Sequence, residues 1–235
     1  MQTKGCIGID GCKTGWVGVV RDSETSQASA RIIDRIENLE INLYDCIAID
    51  IPIGLPSQGS RECDLGARVI LKPRGCCVFP APIRPLLKAG NYAEACAIKM
   101  ENDKKKISLQ TWGILPKIAE VDEILQGNKE LIDKFIEVHP EVSFCRLNDN
   151  RPLLNGKKSA DGKKDRIKLV DGYFGPGTFK QLKNSLAACR GWADNDLLDA
   201  CAALWTAERI IKSIALSTSA QLIYDDTGIP MRMMY

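Results

Sequence analysis

Four aspartates carry the chemistry that this chain's sequence suggests: Asp10 and Asp50, each at the end of an apolar strand pattern, and Asp196 and Asp199, at the start of a long apolar helix pattern. A carboxylate among apolar residues is costly unless something cationic meets it. Several carboxylates converging from different elements therefore point to a divalent cation site, of the kind that activates water and stabilises a leaving oxygen in phosphodiester hydrolysis. Asp196 and Asp199 are three residues apart, so a helix places both on one face. For Asp196, the alternative is simple compensation of the positive helix N-terminus. Asp199 lies deeper, between Leu198 and Ala200, where that compensation fades and an unpaired charge is expensive. Asp10 precedes Gly11, and Asp-Gly alone is also a common turn signal.

A second group surrounds the only histidine, in Glu137-Val-His-Pro-Glu141. Glu137 and His139 share one strand face, and Glu141 falls beyond Pro140, so either glutamate is a candidate further ligand. His139 is a candidate proton shuttle or neutral metal ligand, against the plainer role of a hydrogen-bonded structural residue. Basic residues supply candidate phosphate contacts. Arg61, Arg68 and Lys72 fall at helical spacing, with Arg74 and Arg84 extending the stripe. Lys13 sits in the first turn, and Lys157, Lys158, Lys163, Lys164 and Arg166 cluster in a segment whose glycines and lysines read as a loop, residues 156–164. Solvated surface is the competing account of all of them. Lys13-Thr14 is no phosphate loop, because Cys12 rather than glycine precedes the lysine.

The elements that must position these groups follow from periodicity. Residues 4–10 alternate, with Ile7 and Ile9 on one face and Gly8 and Asp10 on the other; residues 11–15 turn into a second strand, 16–21, and a third is expected at 30–36. Residues 46–51 form an apolar run interrupted only by Asp50, as expected of a central parallel strand covered on both faces. From 57 to about 130 the chain turns helical, with a helix expected at 114–125, and a strand resumes at 134–139. A last helix is expected over 194–216 and an edge strand over 221–224. The pattern predicts one α/β domain over 1–235 with a helical insertion at about 57–130, its active site at the carboxyl ends of the strands.

Hydrophobic residues make up 45% and charged residues 26% of the 235, the balance of an ordinary soluble protein. The segments 57–117 and 151–170 are rich in lysine and arginine, whereas 1–56 and 118–150 are acidic. Basic arms around an acidic centre would hold a polyanion against bound metal. The N-terminal residues show neither a signal peptide nor a membrane span, and the ten cysteines lack a Cys-x-x-Cys pair, so reduced thiols, a cytoplasmic location and no zinc site are expected.

Several segments together resemble the domain of unknown function 429 family of predicted ribonuclease-H-like nucleases: Gly8-Ile-Asp-Gly-Cys-Lys-Thr-Gly-Trp16, Asp50-Ile-Pro-Ile-Gly-Leu-Pro56, Arg61 to Arg68 with Val78-Phe-Pro, Glu137-Val-His-Pro-Glu141 and Asp194-Asn-Asp-Leu-Leu-Asp-Ala200. The resemblance implies a ribonuclease-H-like mixed five-stranded sheet of order 3-2-1-4-5 flanked by helices. It also implies two-metal chemistry, with acids from the first strand, the fourth strand and an i, i+3 pair on the last helix. Asp10, Asp50, Asp196 and Asp199 occupy those places, Asp50 where many relatives carry the longer glutamate. The expectation is thus a nuclease with two Mg²⁺ or Mn²⁺ ions bridged by Asp10, ligated further by Asp50 and Asp199, with Asp196 or Glu141 in an outer role and DNA or RNA as partner. An ATP-dependent phosphotransferase of the actin and sugar-kinase type, a non-catalytic nucleic-acid-binding module, and pairing into a homodimer stay open.

Overall fold

The computed structural model describes residues 5–235. Strands β1 (Gly5–Cys12), β2 (Gly15–Arg21) and β3 (Ala28–Ile33) form an antiparallel meander, and β4 (Tyr44–Ile49) lies parallel to β1. Helices α1 (Glu62–Ile70), α2 (Tyr92–Asp103) and α3 (Leu109–Gly127) intervene before β5 (Phe135–Val138), which is parallel to β4. Four helices follow: α4 (Pro140–Leu147), α5 (Ala160–Phe174), α6 (Thr178–Ser185) and α7 (Asp194–Ile211). The chain closes with β6 (Ile223–Tyr224) and β7 (Pro230–Met231), a two-stranded ribbon, and with β8 (Met233–Met234), which joins the main sheet beside β5. The main sheet has the order β3-β2-β1-β4-β5-β8, a mixed α/β sheet flanked by seven helices.

Alternation along the central strands decides which helix covers which face. Ile7 and Ile9 of β1 and Ile47 and Ile49 of β4 pack with Ile118, Val121 and Leu125 of α3, whose spacing puts them on one helical stripe. The intervening residues face α7. Gly8 is the decisive one: a Cβ there would lie 2.0 Å from the Leu204 nitrogen and 2.3 Å from the Ala200 carbonyl oxygen. The absence of a side chain lets the α7 backbone rest directly on β1. Small residues continue that contact, with Cys46 and Ala48 of β4 meeting Ala203 and Ala207 of α7.

Five expectations need correction. The lysine-rich segment from 157 to 166 is only in part a loop, because α5 starts at Ala160, capped by the Ser159 hydroxyl, which accepts from the Gly162 N–H. Its buried face recurs every fourth residue through Gly162, Arg166, Val170 and Phe174. The closing edge strand of the main sheet is β8 and not residues 221–224, since β6 pairs with β7 in the separate ribbon. The last helix stops at Ile211, and β1 continues through Asp10 to Cys12. The helix expected at 114–125 starts five residues earlier, where Ser108 caps it, and carries Pro116 inside.

Because Gly8 leaves no room, Gly8→Ala must push α7 away from β1. Overpacking of this kind costs about 3 kcal/mol. Urea unfolding of Gly8→Ala should show a loss of that size, while Gly113→Ala, where a Cβ meets nothing within 4 Å, should not.

Candidate metal centre

Three elements each deliver one aspartate to one point. Asp10 lies on the α7-facing side of β1, two residues beyond Gly8, and its Oδ1 accepts from the Gly11 N–H at 2.7 Å. Asp50 immediately follows β4, and its N–H donates to the Ile9 carbonyl at 3.0 Å, which extends the parallel ladder and holds it beside Asp10. Asp199 lies in the second turn of α7 and is 1% exposed. The start of α7 is tied to the β1–β2 turn: the Lys13 N–H donates to the Gly191 carbonyl at 2.8 Å and the Thr14 hydroxyl to the Arg190 carbonyl at 2.9 Å. Gly191 has φ +81°, and a Cβ there would strike the Thr14 side chain, so only glycine suits this junction.

Asp10, Asp50 and Asp199 each offer an oxygen, and these oxygens lie within 4.8 Å of one another. One ammonium is hydrogen-bonded to the cluster. Lys157 donates to Oδ2 of Asp199 at 2.6 Å, while the buried Oδ1 of the same carboxylate has no hydrogen-bond partner among the described residues. Burial, then the neighbouring carboxylates of Asp50 and Asp199, raise Asp10 well above the usual range. Burial and Asp199 push Asp50 up to about 8, and burial also raises Asp199 despite Lys157. Burial disfavours the Lys157 ammonium, yet Asp199 and Asp50 outweigh it and hold its proton more tightly than usual.

The neighbouring glutamates are already paired. Glu137 accepts from both terminal nitrogens of Arg61 at 2.6 Å, and Arg61 also grips Asp64 and the Ile53 carbonyl. Glu141 receives Arg166 on both oxygens, at 2.5 and 2.7 Å, with Arg74 at 3.4 Å. Both glutamates line the same cavity as Asp10 and Asp50, held in these ion pairs. Arg61 and Arg166 are both buried, at 2% and 0% exposure, with Arg61 in the wall of the cavity beside the cluster. Asp196 stands outside the cluster: its carboxylate accepts from the Ala193 N–H at 2.9 Å, the capping role that its place at the helix start allows.

A cavity of about 490 Å³ is lined by Asp10, Asp50, Asp196 and Lys157, with Phe79, Ile114, Lys117 and Met233 among its walls, and Asp199 is buried beside it. His139 also lines it. Burial lowers the imidazole to about 4, so it is neutral at pH 7, and Nδ1 has no partner among the described residues. The other basic candidates scatter. Arg68 donates to the Val78 carbonyl, and Arg74 to the carbonyls of Leu153 and Asn155. Arg84 is paired with Asp122 and Asp225 and does not line this cavity. Lys13 and Lys158 are exposed on segments that flank the site. Lys157 and Lys117 are the lysines at the cavity itself, and the sequence signalled them only as members of basic stretches.

The donor set of three hard oxygens, one of them orphaned in a buried position, fits a hard divalent cation. The family model described as Protein of unknown function (DUF429) matches residues 8–226, the stretch that contains all three aspartates. The chain belongs to that family. No curated protein and no solved structure matches it. Among the described residues no helix is long and apolar enough to cross a membrane, and all ten cysteines are free.

The raised aspartates make the metal-free fold sensitive to pH. Folded, they hold protons that the unfolded chain has already released, so stability falls as pH rises toward about 8. His139 acts oppositely, but only below its ordinary value of 6.5. Urea unfolding in EDTA should therefore show a steady loss of stability between pH 6.5 and about 8, and Asp50→Asn should flatten it.

Proposed function

We propose that this protein is a metal-dependent nuclease built on a ribonuclease-H-like sheet. The observation that carries the proposal is the three-aspartate cluster with its unpartnered Asp199 oxygen, assembled at the carboxyl ends of β1 and β4 and on the last long helix. An antiparallel β1–β2–β3 meander with β4 parallel to β1 supports the fold assignment. When bound there, Mg²⁺ or Mn²⁺ supplies Lewis acidity that activates water and neutralises a departing oxygen.

The chain's own groups divide the remaining tasks. Asp10, Asp50 and Asp199 would hold the cation. His139, neutral and among the residues that line the cavity, accepts or returns the proton exchanged with the attacking water or leaving oxygen. Lys117 lines the same cavity, and Lys13 and Lys158 lie exposed on its flanks, where they attract the phosphate backbone without reading bases. Arg61 and Arg166 have a different part: they neutralise Glu137 and Glu141, so these do not compete for the cation.

Labelled single strands, duplexes, DNA–RNA hybrids and branched junctions, incubated with Mn²⁺ or Mg²⁺, test the proposal. At least one should be cut, with a steep loss of binding as salt rises. Asp10→Asn and Asp199→Asn should each lower the rate by roughly a hundredfold or more, the scale of removing a principal electrostatic stabiliser. Cleavage that survives both substitutions, or that persists in EDTA, would sink the proposal.

A further inference from the structure

The charge balance at the aspartate cluster points to a specific role for Lys157, resting on the reading of these carboxylates as a cation site. Three ionised carboxylates, one ammonium and one divalent ion sum to zero, which is the condition a buried cluster must approach. A second divalent ion would leave a positive excess in the same low-polarity space. The neighbouring acids that could absorb it each already face a cation: Glu137 is paired with Arg61, Glu141 with Arg166, and Asp196 shares the cavity with Lys117, whose charge acts on it.

The chain on either side of Lys157 is held in place. The Asn155 carbonyl accepts from Arg74 at 3.1 Å and from Arg166 at 3.3 Å, and the Gly156 carbonyl accepts from the Ser159 N–H at 2.9 Å. Gly162 rests against that same Gly156 carbonyl, at a distance that leaves no room for a side chain. The arginines that neutralise Glu141 are thus the ones that fix the backbone leading to Lys157. Its ammonium reaches Asp199 Oδ2 at 2.6 Å, and the vacant oxygen of that carboxylate is the other one, Oδ1.

We propose that Lys157 is the second cation of this site: one divalent ion is held by Asp10, Asp50 and Oδ1 of Asp199, while Lys157 keeps Oδ2 and stands where a second ion would otherwise be bound. The two-ion arrangement is thereby replaced by one ion and one fixed ammonium. The ammonium side chain is 43% exposed, so it can also meet an oxygen of a phosphate entering the cavity.

Mn²⁺ titration followed by the electron paramagnetic resonance signal of the free ion gives the count and the affinity without any substrate. The wild type should bind one Mn²⁺ and Asp10→Asn none. Lys157→Met should bind one ion at least about tenfold more tightly, because a repelling charge a few ångströms away is gone. Lys157→Glu, which replaces the ammonium by a ligand, should bind two. Two ions on the wild type, or wild-type count and affinity in both Lys157 variants, would overturn the proposal while leaving the aspartate site standing. No Mn²⁺ on the wild type would remove the aspartate site and this proposal together. Thermal melts identify any variant that does not fold, and the Met and Glu substitutions are independent of each other.

Discussion

The contact of α7 with β1 at Gly8 is the constraint on which the site depends. With no side chain between them, the helix backbone rests on the strand, and the two run in opposite directions, so one turn toward the helix start coincides with two residues toward the strand end. Asp199 and Asp10 are thereby brought together, and the hydrogen bond from Asp50 to Ile9 adds the third carboxylate. Two tight backbone arrangements therefore set three carboxylates against one another, and Lys157 is the side chain that hydrogen-bonds to one of them. The surrounding protein does not dilute that negative charge. Arg61 and Arg166 are spent on glutamates next to the cluster, leaving the cluster negative while its surroundings are neutral.

That division between paired and unpaired acids separates framework from chemistry. Arg61 joins the start of α1 to β5 through Glu137 and to the segment after β4 through the Ile53 and Gly54 carbonyls. Arg166 joins α5 to α4 through Glu141. Each is a buried arginine with its donors satisfied, a geometry that fixes where elements lie. Asp10 and Asp50 instead line a cavity, and Asp199 beside them keeps a buried oxygen with nothing to bond.

Much of this was legible in the residues. The alternation of Ile7 and Ile9 with Gly8 and Asp10 assigns opposite faces to core and site, and an aspartate between Leu198 and Ala200 in an apolar helix stands out because burying it has no other account. The capping role of Asp196 was equally visible from its place at the helix start. What stayed hidden is what depends on distant partners. Arg61 looked like one stripe of a solvated helix, since Glu137, which claims it, is remote in sequence. Helix α5 was obscured because its buried face includes Arg166, so the apolar rhythm breaks where an ion pair replaces a hydrocarbon contact. Strand β8 is two residues long and pairs only with β5, too short for any alternation to announce it.

The clustered carboxylates lie far apart in sequence, Asp10 and Asp50 early and Asp199 late, and the last of them comes into place with its own helix. Contacts of such long sequence separation form late, after loop closure has been achieved elsewhere. A chain still emerging from the ribosome would hold two of the three aspartates on completed strands without the third. Completion of the carboxylate cluster is then tied to the docking of α7, and a half-made molecule lacks it.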